Sequence, residues 1–401
     1  MKSVSELALS GKKVLVRVDF NVPLDAEFRV TDDTRLRATL PTLRHLIEEG
    51  ASVILMSHLG RPKDGPADKY SLRHIIPALE KLIGRPVLFA PDCIGTEAGE
   101  MAGALKAGEI LLLENLRFYK EEEKGDSGFA ARLAALGDVY VNDAFGTAHR
   151  AHASTAVMAQ FFKEKAAGFV MQAEIENAGK VLDAAQKPYV AIMGGAKVSD
   201  KILIMENLLN RIDHLIIGGG MAYTFWKAQG GEIGSSLLEE ERLETCRSIL
   251  KRAGELGVKV HLPEDSVIAD AFSNEANTRQ AASNQIPSGW MGLDIGTKAQ
   301  AAFRDVILKC KTILWNGPMG VFEMPAFAEG TRSIARAVVE ATENGAYSLI
   351  GGGDSAAAVN QLGFGERVSY VSTGGGALLE YMEGKILPGV AALEDTHLQA
   401  S

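Results

Sequence analysis

Short apolar runs alternate along the whole chain with stretches whose apolar residues recur at the helical period. In the first half, 13–18, 52–56, 87–90, 110–114 and 139–142 read as strands. In the second half, 189–193, 214–217, 258–262, 312–315, 348–350 and 368–371 read the same way. These runs are continuously apolar instead of alternating, the pattern of strands covered on both faces. Between them lie helical patterns, such as Leu243, Cys246, Ile249, Leu250, Ala253 and Leu256 on one face. Steady alternation of strand and helix predicts an α/β protein with parallel sheets. The stretch 169–185 reads as one amphipathic helix, with Ile175, Ala178, Val181 and Leu182 on a face and Lys187–Pro188 as its stop.

The strand ends differ between the halves. In the first they open into DFN (19–21), SHLGR (57–61), ENLR (114–117) and NDAFGTAHR (142–150), rich in Arg and His. In the second they open into GGAK (194–197), GGG (218–220), NGPMG (316–320), GGGDS (351–355) and TGGG (373–376), glycine with little side chain. Ligands of open α/β sheets bind outside the carboxyl ends of the strands. The first half therefore offers charge to a small anion, and the second offers bare backbone to a larger ligand with phosphates. The domain junction is expected between these two styles.

Composition narrows the choice. The 401 residues carry 42 Lys+Arg against 51 Asp+Glu, a net charge of −9. That surface repels nucleic acid and anionic membrane, so an anion site must be a local basic cluster. At 46% apolar and 23% charged the chain has ordinary globular usage. Cys93, Cys246 and Cys310 lie far apart, as expected of isolated thiols in a reducing compartment. No apolar run approaches the about 18 residues of a membrane span, and MKSVSELALSGKK lacks the apolar stretch of a signal peptide, so a cytoplasmic protein is expected. Glycine, at 42 residues, exceeds its usual share of about 7%.

Gly351, Gly353 and Ala356 fit a dinucleotide turn, but the ribose-binding acid expected about 20 residues on is missing, which disfavours an NAD-dependent dehydrogenase. Five glycine-rich ends in one half favour phosphate cradling by backbone N–H groups over simple tight turns. Lys197 and Lys201 stand four apart; with Ser199 or Asp200 as N-cap, Lys201 falls in the first helical turn, where a cation opposes the dipole. Phosphate clamping explains that placement better than helix stability. Arg35 also opens a helix, the alternative being a salt bridge to Asp32 or Asp33. His149 and His152 read as hydrogen-bonding histidines, because no third metal ligand of matching spacing is evident. Glu121–Glu123 with Lys124 reads as a solvated charge run. No hydrolytic triad or paired-acid spacing is present. Phosphoryl transfer to a carboxylate needs neither, because its acceptor is already ionised and cations do the rest.

Read together, RVDFNVP (17–23), SHLGRP (57–62), LLLENLRFY (111–119), NDAFGTAHRAH (142–152), GGAKVSDKI (194–202), GGGMAYTF (218–225), WMGLDIG (290–296), WNGPMGVFE (315–323) and GGGDS (351–355) closely resemble the phosphoglycerate kinase family, of bacterial type. The likeness runs from about Leu7 to LPGVAAL (387–393). It implies two Rossmann-like α/β domains joined by a hinge helix: 1–170 for the acid substrate, with the tail 385–401 packing back on it, and 171–384 for the nucleotide. It further implies reversible phosphoryl transfer between 1,3-bisphosphoglycerate and ADP, giving 3-phosphoglycerate and ATP, with Mg²⁺, by a cytoplasmic monomer with no nucleic-acid or membrane partner.

Carried over by motif, Asp19 and Asn21 would bind the glycerate backbone. His58, Leu59, Gly60 and Arg61, with Arg117 and Arg150, would hold its carboxylate and 3-phosphate. Arg35 would reach the migrating phosphoryl group from one side, and Lys197 and Lys201 from the other. Gly195, Gly219, Gly220, Gly292 and Leu293 would form the adenine slot, with Asn316, Pro318 and Glu323 near ribose and phosphates. Gly352, Gly353, Asp354 and Ser355 would lie at the phosphates, Asp354 nearest the magnesium. Gly374 and Gly375 would aim a helix N-terminus at the transferring group. Thr297 replaces a frequent proline and Ser355 a frequent threonine. The final THLQAS (396–401) carries no reading.

Overall fold

The computed structural model of the protein describes residues 1–394, so THLQAS lies outside the described residues. The described chain divides into two compact units: Met1–Ile175 with the returning segment that begins at Ile386, and Glu176–Lys385. The division falls inside the helix Phe169–Leu182.

In the first unit the strands are β1 (Lys13–Arg17), β2 (Ser52–Met56), β3 (Leu88–Ala90), β4 (Ile110–Leu113), β5 (Val139–Asn142) and β6 (Lys165–Ala167). They form one parallel sheet in the order β3-β4-β2-β1-β5-β6. Every residue of β2, β4 and β5 is buried, as the continuous apolar runs require. Val14, Val16, Val53 and Leu55 pack there with Leu36, Leu43 and Leu46 of the helix Thr34–Glu48. β1 also buries one charge completely: Arg17 is fully enclosed. In the returning segment, Gly389 N donates to Ala148 O at 2.8 Å.

The second unit contains β7 (Tyr189–Met193), β8 (His214–Ile217), β9 (Glu232–Ile233), β10 (Lys259–His261), β11 (Asp265–Ala269), β12 (Thr278–Ala282), β13 (Gln285–Ile286), β14 (Met291–Ile295), β15 (Thr312–Asn316), β16 (Tyr347–Gly351) and β17 (Tyr370–Val371). Its main parallel sheet has the order β10-β8-β7-β15-β16-β17, the doubly wound Rossmann order with a switch point between β7 and β15. An antiparallel sheet β12-β11-β14 and the pair β13-β9 stand apart from it.

Each strand expected from an apolar run is present, several of them shorter at the ends. The antiparallel sheet is not legible in the sequence, because β12 reads Thr-Arg-Gln-Ala-Ala and is mostly exposed. The helix Leu243–Glu255 buries Cys246, Ile249 and Ala253. Leu256, expected on that face, is exposed because it stands past the last turn as the C-cap. All three cysteines are buried free thiols. No described helix is long and apolar enough to cross a membrane.

Candidate active site

At the carboxyl end of β1, Asp19 Oδ1 accepts from Asn21 N at 3.3 Å and from Arg35 at 3.1 Å, and Arg35 also donates to Asn21 O at 2.9 Å. Arg35 therefore reaches across to the strand end. Of the alternative partners, Asp33 is taken by Arg37 at 2.8 Å, and Asp32 accepts Thr34 N at 2.9 Å while interacting with Arg35 only at longer electrostatic range. The Arg35 side chain keeps 37% of its surface, so it remains available to a ligand.

After β2, Gly60 N donates to Asn21 Oδ1 at 2.8 Å, and Gly60 O accepts from Arg117 at 3.1 Å. Gly60 has φ +64°, and a Cβ there would run into the Tyr70 ring, so no other residue fits this turn. Leu59 differs from expectation. Its side chain is buried in the core and its carbonyl is taken by Asn115 Nδ2 at 2.7 Å, so it shapes the loop from behind.

Electrostatics ties these ends together. His58 is buried near Arg17, Arg117, Arg35 and His152, and burial, helped by the arginines, holds its proton affinity well below the usual imidazole range. His152, near Arg117, Arg17 and Arg150, is pushed down to about 4, mainly by burial. Its Nδ1 is enclosed without a hydrogen-bond partner, contrary to the expectation for this histidine. Burial also lowers the pKa of Arg117, which has Arg61 as a neighbour. Arg17, Arg35, Arg61, Arg117 and Arg150 thus share one region with neutral histidines, an arrangement that would suit an anion. Among the described residues no group of His, Cys, Asp and Glu is arranged to hold a metal.

The second unit has a cavity of about 510 Å³. Of the residues expected around a nucleotide, Gly195, Gly219, Gly220, Gly292, Leu293, Pro318, Glu323 and Asp354 line it, together with Tyr223, Leu237, Phe272, Met291, Met319 and Val321, which sequence reasoning did not single out. The apolar residues suit the faces of a flat base. Three strand ends are knitted by Gly194 N to Asn316 O (2.9 Å), Gly195 N to Pro318 O (2.9 Å) and Gly219 N to Met319 O (3.1 Å). Gly219 has φ +68°, and a Cβ there would strike the backbone of Gly195 and Pro318.

Several expected phosphate residues are placed differently. Ser199 does not cap a helix: its hydroxyl donates to Glu239 at 2.5 Å, and Glu239 also accepts Val198 N. The helix consequently starts at Ile202, with Lys201 at the cap position and not in the first turn. Lys201 donates to Asn316 Oδ1, and burial lowers its pKa. Lys197 is exposed. Ser355 is fully buried and accepts Gly317 N at 2.6 Å, so it braces the loop after β15 from inside. Gly374 N is already bonded to Ser372 Oγ at 3.0 Å; Gly375 caps the helix Gly376–Met382. Gly352 and Gly353 open the helix Gly353–Gln361, whose first turn carries Asp354.

A basic cluster on one doubly wound unit and a glycine-walled cavity of about 510 Å³ on the other suit a nucleotide-dependent kinase of a small anionic acid. The family model for phosphoglycerate kinase matches residues 4–385. The phosphoglycerate kinase of Porphyromonas gingivalis is 52% identical over 417 aligned residues, covering 98% of this chain and 100% of its own. That of Chloroherpeton thalassium is 52% identical over 394, covering 98% and 99%. The solved phosphoglycerate kinase of Coxiella burnetii superposes with a TM-score of 0.89 at 41% identity, covering 98% of each chain. The chain belongs to the phosphoglycerate kinase family. It is an enzyme of glycolytic phosphoryl transfer that uses a nucleotide, and the dehydrogenase alternative finds no support.

Proposed function

We propose that the first unit binds 3-phosphoglycerate or 1,3-bisphosphoglycerate and the second binds ADP or ATP, each through the residues above. The cluster of Arg35, Arg61, Arg117 and Arg150 beside neutral His58 carries this reading, because few ligands other than a multiply charged small acid repay so many converging cations. Asp19 and Asn21 orient the glycerate hydroxyl, and Arg61, Arg117 and Arg150 take its carboxylate and phosphate.

The reacting carboxylate is ionised at neutral pH, so the protein moves no proton. Arg35, Lys197 and Lys201 stabilise charge as the phosphoryl group passes between two oxygens. Lys201 is held for this by Asn316, and Gly375 presents the start of the last described helix of the unit. Magnesium fits as a nucleotide-borne ion: Asp354 offers a carboxylate at the cavity wall, and the remaining oxygen ligands would come from phosphates and water. Bound there it would neutralise phosphate charge. Small molecules are the partners, and the enzyme acts as a cytoplasmic monomer, in keeping with buried free thiols and a surface that repels nucleic acid. The test is ATP consumption that requires both 3-phosphoglycerate and Mg²⁺. Turnover with a different acid, and none with this one, would overturn the substrate assignment.

A further inference from the structure

The short helix Lys120–Lys124 carries acids in sequence order Glu121, Glu122, Glu123, which reads as solvated surface. The structure corrects that reading for the middle one. Glu122 is fully buried, and so is Arg17 in β1. They do not pair directly. Ser154 stands between them: its backbone N–H donates to Glu122 Oε2 at 2.9 Å, its hydroxyl donates to Glu122 Oε1, and the same hydroxyl oxygen accepts from Arg17 Nε at 2.8 Å. Arg17 continues the line, placing a terminal nitrogen 3.4 Å from His58 Nδ1 and donating with the other to Val18 O at 2.6 Å.

The donor inventory gives this line a direction. A carboxylate only accepts and a guanidinium only donates, so the hydroxyl proton of Ser154 points to Glu122. At the other end, His58 Nδ1 must be the accepting nitrogen, which leaves the ring proton on Nε2. Nε2 has no protein partner among the described residues. A buried charge pair is weak evidence for stability, since apolar replacements of such pairs are often neutral or better. A line that ends on a ligand-binding imidazole has another use.

We propose that Glu122, acting through Ser154 and Arg17, is a positioning residue of the acid site that holds His58 as the neutral Nε2–H tautomer, a donor for the anionic substrate. Neutrality is reinforced by burial and by the nearby cations Arg17, Arg117 and Arg35, with His152 as a further neighbour. The consequence is a donor that stays in one protonation state and one orientation through turnover. The inference rests on the reading of His58 as an acid-site residue.

Four single variants, one double variant and one spectrum decide it. Glu122→Gln removes the charge at the far end, and Ser154→Ala removes the bridge, after which the guanidinium is free to turn to Glu122. Both should raise the KM for 3-phosphoglycerate about tenfold, the scale of one lost hydrogen bond to a charged group, with the KM for ATP unchanged. Nitrogen-15 spectra of the imidazoles, with His58 assigned by His58→Gln, should show Nε2–H in the parent and a mixed tautomer in both variants. Ser154→Thr keeps the hydroxyl and should restore parental spectrum and KM, which decides the matter even if Glu122→Gln does not fold. In the His58→Gln background, Glu122→Gln should add no further rise in KM. Lower thermal stability with parental tautomer and KM in both variants would overturn the proposal and leave the line purely structural. An unchanged acid KM in His58→Gln, whatever the tautomer does, would instead sink the acid-site reading beneath it.

Discussion

Arg35 is held by Asp19 and the carbonyl of Asn21, keeps 37% of its side-chain surface, and is a neighbour of His58 together with Arg17 and Arg117. A cation kept in that company is not there for stability. If it stabilises charge on the migrating phosphoryl group, Arg35→Ala should lower kcat by about two orders of magnitude or more, with a much smaller change in ATP affinity. Arg35→Lys should rescue poorly, because a point charge lacks the planar fork. Steady-state kinetics with both substrates varied reads the outcome, and near-parental kcat in Arg35→Ala would remove it from the machinery. The cluster around Arg35 was legible in the sequence because its members sit in short motifs at strand ends. Arg17 and Glu122 were not, because the partner of each lies far along the chain, and three consecutive acids look solvated until a buried arginine is found facing one of them. The available signal was Arg17 itself, a charge following the apolar Val14–Val16 and standing in the sequence directly before Val18. His152 shows the same limit: sequence assigns it a hydrogen bond, but burial first, and then the neighbouring arginines, decide its charge.

At the scale of elements, strands announced themselves through continuous apolar runs, whereas cap chemistry misled. Ser199 and Asp200 are good caps by composition, yet Glu239 claims the Ser199 hydroxyl together with Val198 N and so sets the loop that carries Lys197 and Lys201. Glu239→Ala should free that loop and raise the KM for ATP several-fold without changing the KM for the acid; effects of equal size on both substrates would contradict the role. A second element-scale consequence lies at the sheet edge where β10 pairs with β8. His214 Nδ1 and His261 Nε2 are 3.0 Å apart, so one nitrogen donates and the other accepts, and full protonation of both rings breaks the contact. Burial, His214 and Lys259 push His261 down to about 4, with Asp213 and Lys309 facing His214 across the same edge. Since the unfolded ring titrates near 6.5, the unfolded state binds more protons in between, and stability falls as pH drops from about 6.5 to about 4. His261→Gln should flatten that part of the stability profile, measured as midpoint temperature against pH. An unchanged slope would assign the acid sensitivity to other groups.

For the whole molecule, the division of labour itself makes a demand. The cationic cluster belongs to one compact unit and the glycine-walled cavity to the other, yet in-line transfer needs the carboxylate and the terminal phosphate within bonding reach of one another. If each ligand binds its own unit as proposed, neither alone would engage both, whereas the two together would offer Arg35 of one unit and Lys197 and Lys201 of the other a shared anionic target. A closed state should therefore be favoured by the pair of ligands more than by the sum of either one, because a ligand shifts an equilibrium only by its differential affinity for the two states. Closure would also exclude water, which otherwise competes with the acid for the phosphoryl group. Small-angle scattering with no ligand, 3-phosphoglycerate alone, a non-hydrolysable ATP analogue alone and both together should give its smallest radius of gyration in the last case. Arg35→Ala should weaken that compaction, because it removes one of the cations on which the two anions converge. An unchanged radius in all four conditions, in an enzyme with full activity, would mean that the groups of both units meet the phosphoryl without domain movement.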